Sequence, residues 1–285
     1  MDFTLRPGTP DDAQECGLIC YEAFTNISQQ HNFPPDFPAP EVAISMLQMV
    51  LSHPGVYSVV AEQEGRIVGS NFLWEGGPVS GVGPITVDCG IQNSTLGRRL
   101  MENVLERAQQ QGCASVRLVQ SAYHNRSLAL YTKLGFDAQE PLSNLNGPPL
   151  KISIPGYAVR AAQYSEVEAC NRVCERVHGF HRGPELQAAI EQGSATVVEH
   201  DNRITGYSTA TGYFGHTVGE SNEDIKALLG AAESFMGPGF LLPTRNADLL
   251  RWCLQHGLRI VQPLTLMSRG LYNQPAGAFL PSILY

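Results

Sequence analysis

Residues 91–101 read IQNSTLGRRLM and follow the apolar run ITV at 85–87. The run predicts the end of a buried strand. The polar residues Gln92, Asn93, Ser94 and Thr95 then lead through Leu96, Gly97 and Arg98 into a long helical pattern. A loop of small residues opening a helix can hold a phosphate, because the first-turn N–H groups lack intrahelical partners and the helix dipole favours negative charge there. Many helices that bind nothing begin the same way. Downstream, Asn125 opens the run NRSLALYTKLGF, with Tyr131 six residues later and a glycine stop at Gly135. Asn125 is of a type that caps helix N-termini. Cys89 stands near the loop, but no histidine within the motif could activate it as a nucleophile.

Composition narrows the chemistry further. The 285 residues, 43% of them hydrophobic, suffice for one large domain or two of ordinary size. A net charge of −8 argues against a nucleic-acid partner. No stretch of 18 apolar residues occurs, and the opening MDFTLRPGTPDD carries acids where a signal peptide would need bases. The expectation is a soluble, cytoplasmic protein with no membrane partner. Seven scattered cysteines fit buried reduced thiols, and without a CxxC no metal is expected.

The elements that must position these residues recur. LRPGTPDDAQECGLIC (5–20) matches VRAAQYSEVEACNRVC (159–174), placing Arg6 on Arg160, Cys16 on Cys170 and Cys20 on Cys174. VVAEQEGRIVG (59–69) matches VVEHDNRITG (197–206), and NRSLALYTKLGF (125–136) matches NADLLRWCLQHGLR (246–259). Three matches in one order predict a duplicated fold. Its junction is expected in the Pro/Gly/Asn-rich stretch 140–149 or just after, giving domains 1–154 and 155–285.

Within the first half the periodicities predict a strand over FTLRPG, a helix after TPDD, and a second helix over 41–52. A hairpin of 57–61 and 67–73 follows, then a strand ending at 85–87, a helix over 96–111, a strand over 115–119 and a short helix over 125–134. The fold class is α/β of the α+β type: two tandem domains, each a mixed, mostly antiparallel sheet flanked by helices.

ITVDCGIQNSTLGRRLM resembles the pyrophosphate-binding segment of the GNAT superfamily of acyl-CoA N-acyltransferases, a strand followed by Q/R-x-x-G-x-G/A at a helix start. NRSLALYTKLGF resembles that family's second signature, in the expected order and separation. The resemblance implies an acetyl-CoA-dependent N-acetyltransferase acting on a small-molecule or peptide amine by direct attack in a ternary complex. It implies that the backbone of residues 92–97 and Arg98 hold the pyrophosphate, that a backbone N–H near Val87 contacts the thioester carbonyl, and that Asn125 lies near the pantetheine arm. Tyr131 is implied as the general acid for the coenzyme A thiolate.

The family often carries a Glu on the strand before the loop, and GVGPITVD (81–88) has no carboxylate before Asp88. Glu75, after NFLW, is the candidate general base, with a water chain as the alternative. The first glycine of Q-x-x-G-x-G falls on Thr95. A loop needing positive φ there would store about 1–3 kcal/mol of strain. A non-enzymatic acyl-CoA-binding module would need the loop and not Tyr131.

The second half departs from the pattern. Trp252 stands six residues after Asn246, where Tyr131 follows Asn125, and no Q-x-x-G-x-G occurs. VGESNEDIKALL (218–229) instead predicts a capping box, Ser221 with Asp224, whose acids would repel a pyrophosphate. This half is read as a degenerate copy that supports the first or shapes its acceptor site, with Tyr213, His216 and His181 as a polar cluster. The segment 26–41, carrying His31, Phe33 and Phe37, is expected as a specificity loop. Residues 270–285 are too apolar for a free end and are expected to dock on a domain or on the partner of a homodimer.

Overall fold

The computed structural model describes residues 3–92 and 95–284. They form two units. One contains the residues up to Asp137 with Met267–Gly270 and Leu284, and the other contains Ala138–Leu266 with Leu271–Ile283.

In the first unit the chain runs β1 (Thr4–Pro7), α1 (Ala13–Gln30), α2 (Pro40–Ser52), β2 (Val56–Gln63), β3 (Arg66–Trp74), β4 (Val79–Val82), β5 (Thr86–Val87), α3 (Leu96–Gln110), β6 (Ser115–Ser121) and α4 (Asn125–Lys133). The sheet order is β1-β2-β3-β4-β6. Glu64 and Gly65 turn the β2–β3 hairpin at φ 52° and 77°, the left-handed pair that suits the strands' twist. β4 runs parallel to β6 only from Val79–Ser115 to Gly81–Arg117. After Pro84, which has no N–H to give a ladder, β5 pairs with β3 through Gly69–Val87 and Ser70–Thr86. The strand predicted to end at 85–87 is therefore two short strands, and the second has left β6.

Two apolar layers hold this sheet. On one face α1 buries Cys16, Ile19 and Cys20 with Ala43, Leu47 and Val50 of α2 and Phe72 of β3. The two helices touch at Gly17, where a Cβ would stand 2.5 Å from Ile44 Cα. On the other face α3 buries Leu96, Leu100, Met101 and Val104 against Val59, Val68 and Leu118, and Met267 joins this core.

From Ala138 on, the chain runs through the rest of β7 (Asp137–Asn146), β8 (Tyr157–Ala161), α5 (Val167–His178), α6 (Gly183–Glu191), β9 (Thr196–His200), β10 (Arg203–Ser208), β11 (Thr217–Gly219), α7 (Asn222–Ala231), β12 (Phe240–Pro243), α8 (Ala247–Gln255), β13 (Arg259–Gly270) and β14 (Ala278–Leu280), all in the second unit except the last four residues of β13. Residues 140–146 of the expected junction are thus strand. An antiparallel sheet runs β14-β11-β10-β9-β8, and β12 pairs antiparallel with β7. The apolar segment after 270 supplies β14.

The duplication read from the sequence is visible in matching ion clusters. Arg6 of β1 holds Asp12 at 2.8 Å and Glu62 of β2 at 2.9 Å. Arg160 of β8 holds Glu166 at 3.0 Å and pairs with Glu199 of β9. Each arginine pulls the pKa of the carboxylate six residues on, Asp12 or Glu166, below its ordinary value by hydrogen bonding.

Candidate active-site cleft

Where β5 leaves β6, the first unit opens a cleft of about 540 Å³. Val87 and Thr86 of β5, the start of α3, the inner face of α4 and Asn26 and Ile27 of α1 line it. Outside it lies a second depression of about 450 Å³, which shares Asn26, Gln30, Gln92, His124 and Arg126 and adds His31, Cys89 and Asn125.

The start of α3 borders the cleft through Thr95, Gly97 and Arg98. Thr95 is its N-cap at φ −78°, ψ −1°, its side chain makes no cap bond, and the first turn carries no acid. The right-handed backbone at Thr95 corrects the concern about strain: no glycine is required there, and the hydroxyl makes no cap bond to the helix. Leu96 is fully buried in the core, so only its backbone can serve a ligand. A Cβ on Gly97 would meet only Leu130 Cδ2 at 3.7 Å and Val87 Cγ2 at 4.0 Å, ordinary contact distances. The missing side chain leaves cleft volume open and is not demanded by internal packing. Asn93 and Ser94 lie outside the described residues.

Charge in the cleft opposes that of the chain. Arg98, Arg126 and Lys133 line it, and its described lining includes no Asp or Glu, although the protein carries −8 overall. Among the described residues Arg98 pairs with Glu102 at 3.6 Å on its own exposed helix face, a pair of little energetic weight. Arg126 donates to Gln92 Oε1 at 3.0 Å, and Gln92 Nε2 donates to the Val87 carbonyl at 3.3 Å. Gln92 thereby ties α4 to β5 across the mouth. The Asp88 N–H points to β3, bonding Val68 at 3.0 Å. Alternation along the strand turns the Val87 N–H to the opposite edge, which borders the cleft.

Tyr131 lies at the bottom. It is 8% exposed and packs on Phe136. Its hydroxyl bonds no other described residue, and burial pushes the phenol pKa far up, so it stays protonated. Asn125 is exposed and reaches the outer depression only. The N-cap of α4 is His124 and not Asn125, which is the first helical residue. Sequence reasoning missed His124, whose signal was its place directly before Asn125, three residues past the end of β6. It lines both volumes, and burial, with Arg126 and His31 adding to it, pushes its imidazole down to about 4.

Glu75 stands apart from these groups. It follows β3 and accepts two bonds from Arg107, at 2.7 and 3.1 Å, while Arg107 lies 5.2 Å over the Tyr57 ring. It does not line the cleft. In the expected specificity loop, residues 26–30 are the last turn of α1. Phe33 stacks on Tyr123 at 4.3 Å, and Phe37 is buried edge-on to Phe24 at 5.8 Å. Of the polar cluster read in the second half, His216 is buried beside His178, their rings 5.1 Å apart, whereas His181 is exposed. Among the described residues no group of three or more His, Cys, Asp or Glu could hold a metal ion, and no helix is long and apolar enough to cross a membrane.

A strand that parts from its neighbour, a helix start beside the gap and a buried tyrosine thus line one cleft of the first unit. Residues 21–136 match the model of the acetyltransferase (GNAT) family, and this stretch of the chain is a domain of that family. Over the whole chain the fold is similar to that of a Pyrococcus horikoshii protein assigned as an acetyltransferase, at 18% identity and TM-score 0.72, covering 99% of this chain and 92% of that one. It is similar also to a GCN5-related N-acetyltransferase from Sphaerobacter thermophilus (15% identity, TM-score 0.61, 95% and 96% covered). A tandem GNAT protein from the clavulanic acid biosynthesis pathway is a third (14%, 0.57, 94% and 98%). No curated protein sequence matches this one.

Proposed function

We propose that the first domain, read as residues 1–154, transfers an acetyl group from acetyl-CoA to a primary amine by direct attack in a ternary complex. The observation that carries this reading is the cationic cleft, free of acids among its described lining, which the start of α3, bare of a side chain at Gly97, shares with the buried Tyr131. Acetyl-CoA supplies an activated acyl group and a thiolate leaving group. The start of α3, the Thr95 hydroxyl and Arg98 would bind its pyrophosphate. The Val87 N–H would polarise the thioester carbonyl. Tyr131, protonated throughout the working pH range, would return a proton to the sulfur.

An amine must also lose a proton. Glu75 is held by Arg107 outside the cleft, so we place that step at His124, directly or through a water. Its imidazole is neutral above about pH 4 and borders the mouth from which an acceptor would enter. The acceptor is a small-molecule or peptide amine, and the second half, read as 155–285, carries no acid equivalent to Tyr131. Release of free thiol from acetyl-CoA, measured across a panel of primary amines and peptides with free N-termini, tests the reading. Amine-dependent release supports it. Saturable acetyl-CoA binding with no release for any amine would favour a binding module instead.

A further inference from the structure

The second unit repeats the strand, helix and strand that bound the cleft of the first. β11 follows β10 and precedes α7, as β5 follows β3 and precedes α3, and β12 follows α7 as β6 follows α3. In the first unit the outer edge of β5 borders the open cleft. In the second, β14 occupies the corresponding edge of β11, antiparallel, with Thr217 opposite Leu280, Val218 opposite Phe279 and Gly219 opposite Ala278.

The strand is seated deeply. Ala278 and Leu280 share one apolar cluster with Phe240 and Leu242 of β12 and Leu229 of α7, so they fill the space between the two strands. Both flanks are tied: the Ala276 N–H donates to the Val177 carbonyl and the Ile283 N–H to the Tyr213 carbonyl, each at 2.8 Å. Gly277 passes so close that a Cβ would stand 2.6 Å from the Gly219 carbonyl.

The helix start is filled as well. Asp224, 1% exposed, accepts from the Ser221 N–H at 2.9 Å and the Ser221 hydroxyl at 2.8 Å, and it bonds the Thr205 hydroxyl. A buried carboxylate thus sits where α3 leaves its first turn without an acid.

We infer that the second unit's coenzyme slot is filled by its own chain: β14 lies where the coenzyme's arm would run, and the Asp224 carboxylate lies where its pyrophosphate would sit. The inference rests on reading the first cleft as the acyl-CoA site. It makes the chain a one-coenzyme protein in which the second unit is closed by construction.

Hydrogen exchange on the full chain, with and without saturating acetyl-CoA, tests it, together with calorimetric stoichiometry. The 278–280 amides should exchange on the order of 100-fold or more slower than an unstructured peptide. Acetyl-CoA should slow exchange at residues 87–98 and 126–131, leave 217–231 and 278–280 unchanged, and bind at one equivalent. Faster exchange at 278–280, new protection at 217–231, or two equivalents would overturn it. If acetyl-CoA changes neither unit, the acyl-CoA reading of the first cleft fails. The filling of the second slot is then decided by the 278–280 amides alone: slow exchange upholds it, and exchange at unstructured rates overturns it.

Discussion

Gly97 and Leu130 face each other across the cleft, and a Cβ on Gly97 would stand 3.7 Å from Leu130 Cδ2. The fold can therefore accept a side chain that a ligand could not. Alanine in a helix gains about 0.5–1 kcal/mol over glycine. Gly97→Ala should leave the melting temperature unchanged or slightly raised while weakening acetyl-CoA binding roughly tenfold, about 1.4 kcal/mol. Calorimetry with a thermal melt checks both halves, and a falling melting temperature would mean that the glycine serves packing.

Thr95 separates backbone from side-chain binding. Its right-handed conformation stores no strain for glycine to relieve. Thr95→Gly should weaken acetyl-CoA binding several-fold, and Thr95→Ser, which keeps the hydroxyl, should bind as the parent does. Tighter binding by the glycine variant would show that only the backbone matters.

Tyr131→Phe removes a hydroxyl that bonds no other described residue, so the fold should tolerate it. kcat should fall about 10²–10⁴-fold, the usual weight of a general acid, with acetyl-CoA affinity unchanged. Because burial raises the phenol's pKa, the parent should show no loss of activity from tyrosine ionisation up to pH 10. An unchanged kcat in the phenylalanine variant would remove Tyr131 from the chemistry.

His124 and Glu75 make opposite predictions for the acid limb. Burial lowers the His124 pKa, so the base form persists as pH falls and is lost only near pH 4. The rate, corrected for the amine's own ionisation, should hold through pH 6 and drop near 4, a limb absent from His124→Gln. The unfolded state, with its histidine near 6.5, binds more protons between those values, so stability should also fall as pH drops from 6.5 through 4. Glu75→Gln, which breaks the Arg107 pair, should lower the melting temperature and leave the pH–rate profile in place. A displaced acid limb in Glu75→Gln would return the base role to Glu75.

Much of this site was legible because its physics is local. The helix over 96–110, the hairpin turn at Glu64 and Gly65 and the Ser221–Asp224 capping box follow from periodicity and turn chemistry within a few residues. The Arg6 and Arg160 clusters surfaced through the repeat. What stayed hidden depends on contacts between distant segments. Whether Glu75 faces substrate or Arg107 is decided 32 positions away. His124 stands out only once it lines both depressions and is partly buried, and the residues near 279 looked merely apolar until paired with β11. Thr95 seemed strained because the motif was read as a demand on φ, while the chain met the same opening in a right-handed conformation.

Whether acyl-CoA occupies the cleft at the start of α3 is tested most directly by one calorimetric titration of acetyl-CoA into the full chain and its Gly97→Ala variant. The predicted result is saturable binding at one equivalent in the parent, weakened roughly tenfold in a variant whose melting temperature is preserved. Absence of saturable binding to the parent, or binding that Gly97→Ala leaves intact, would contradict it.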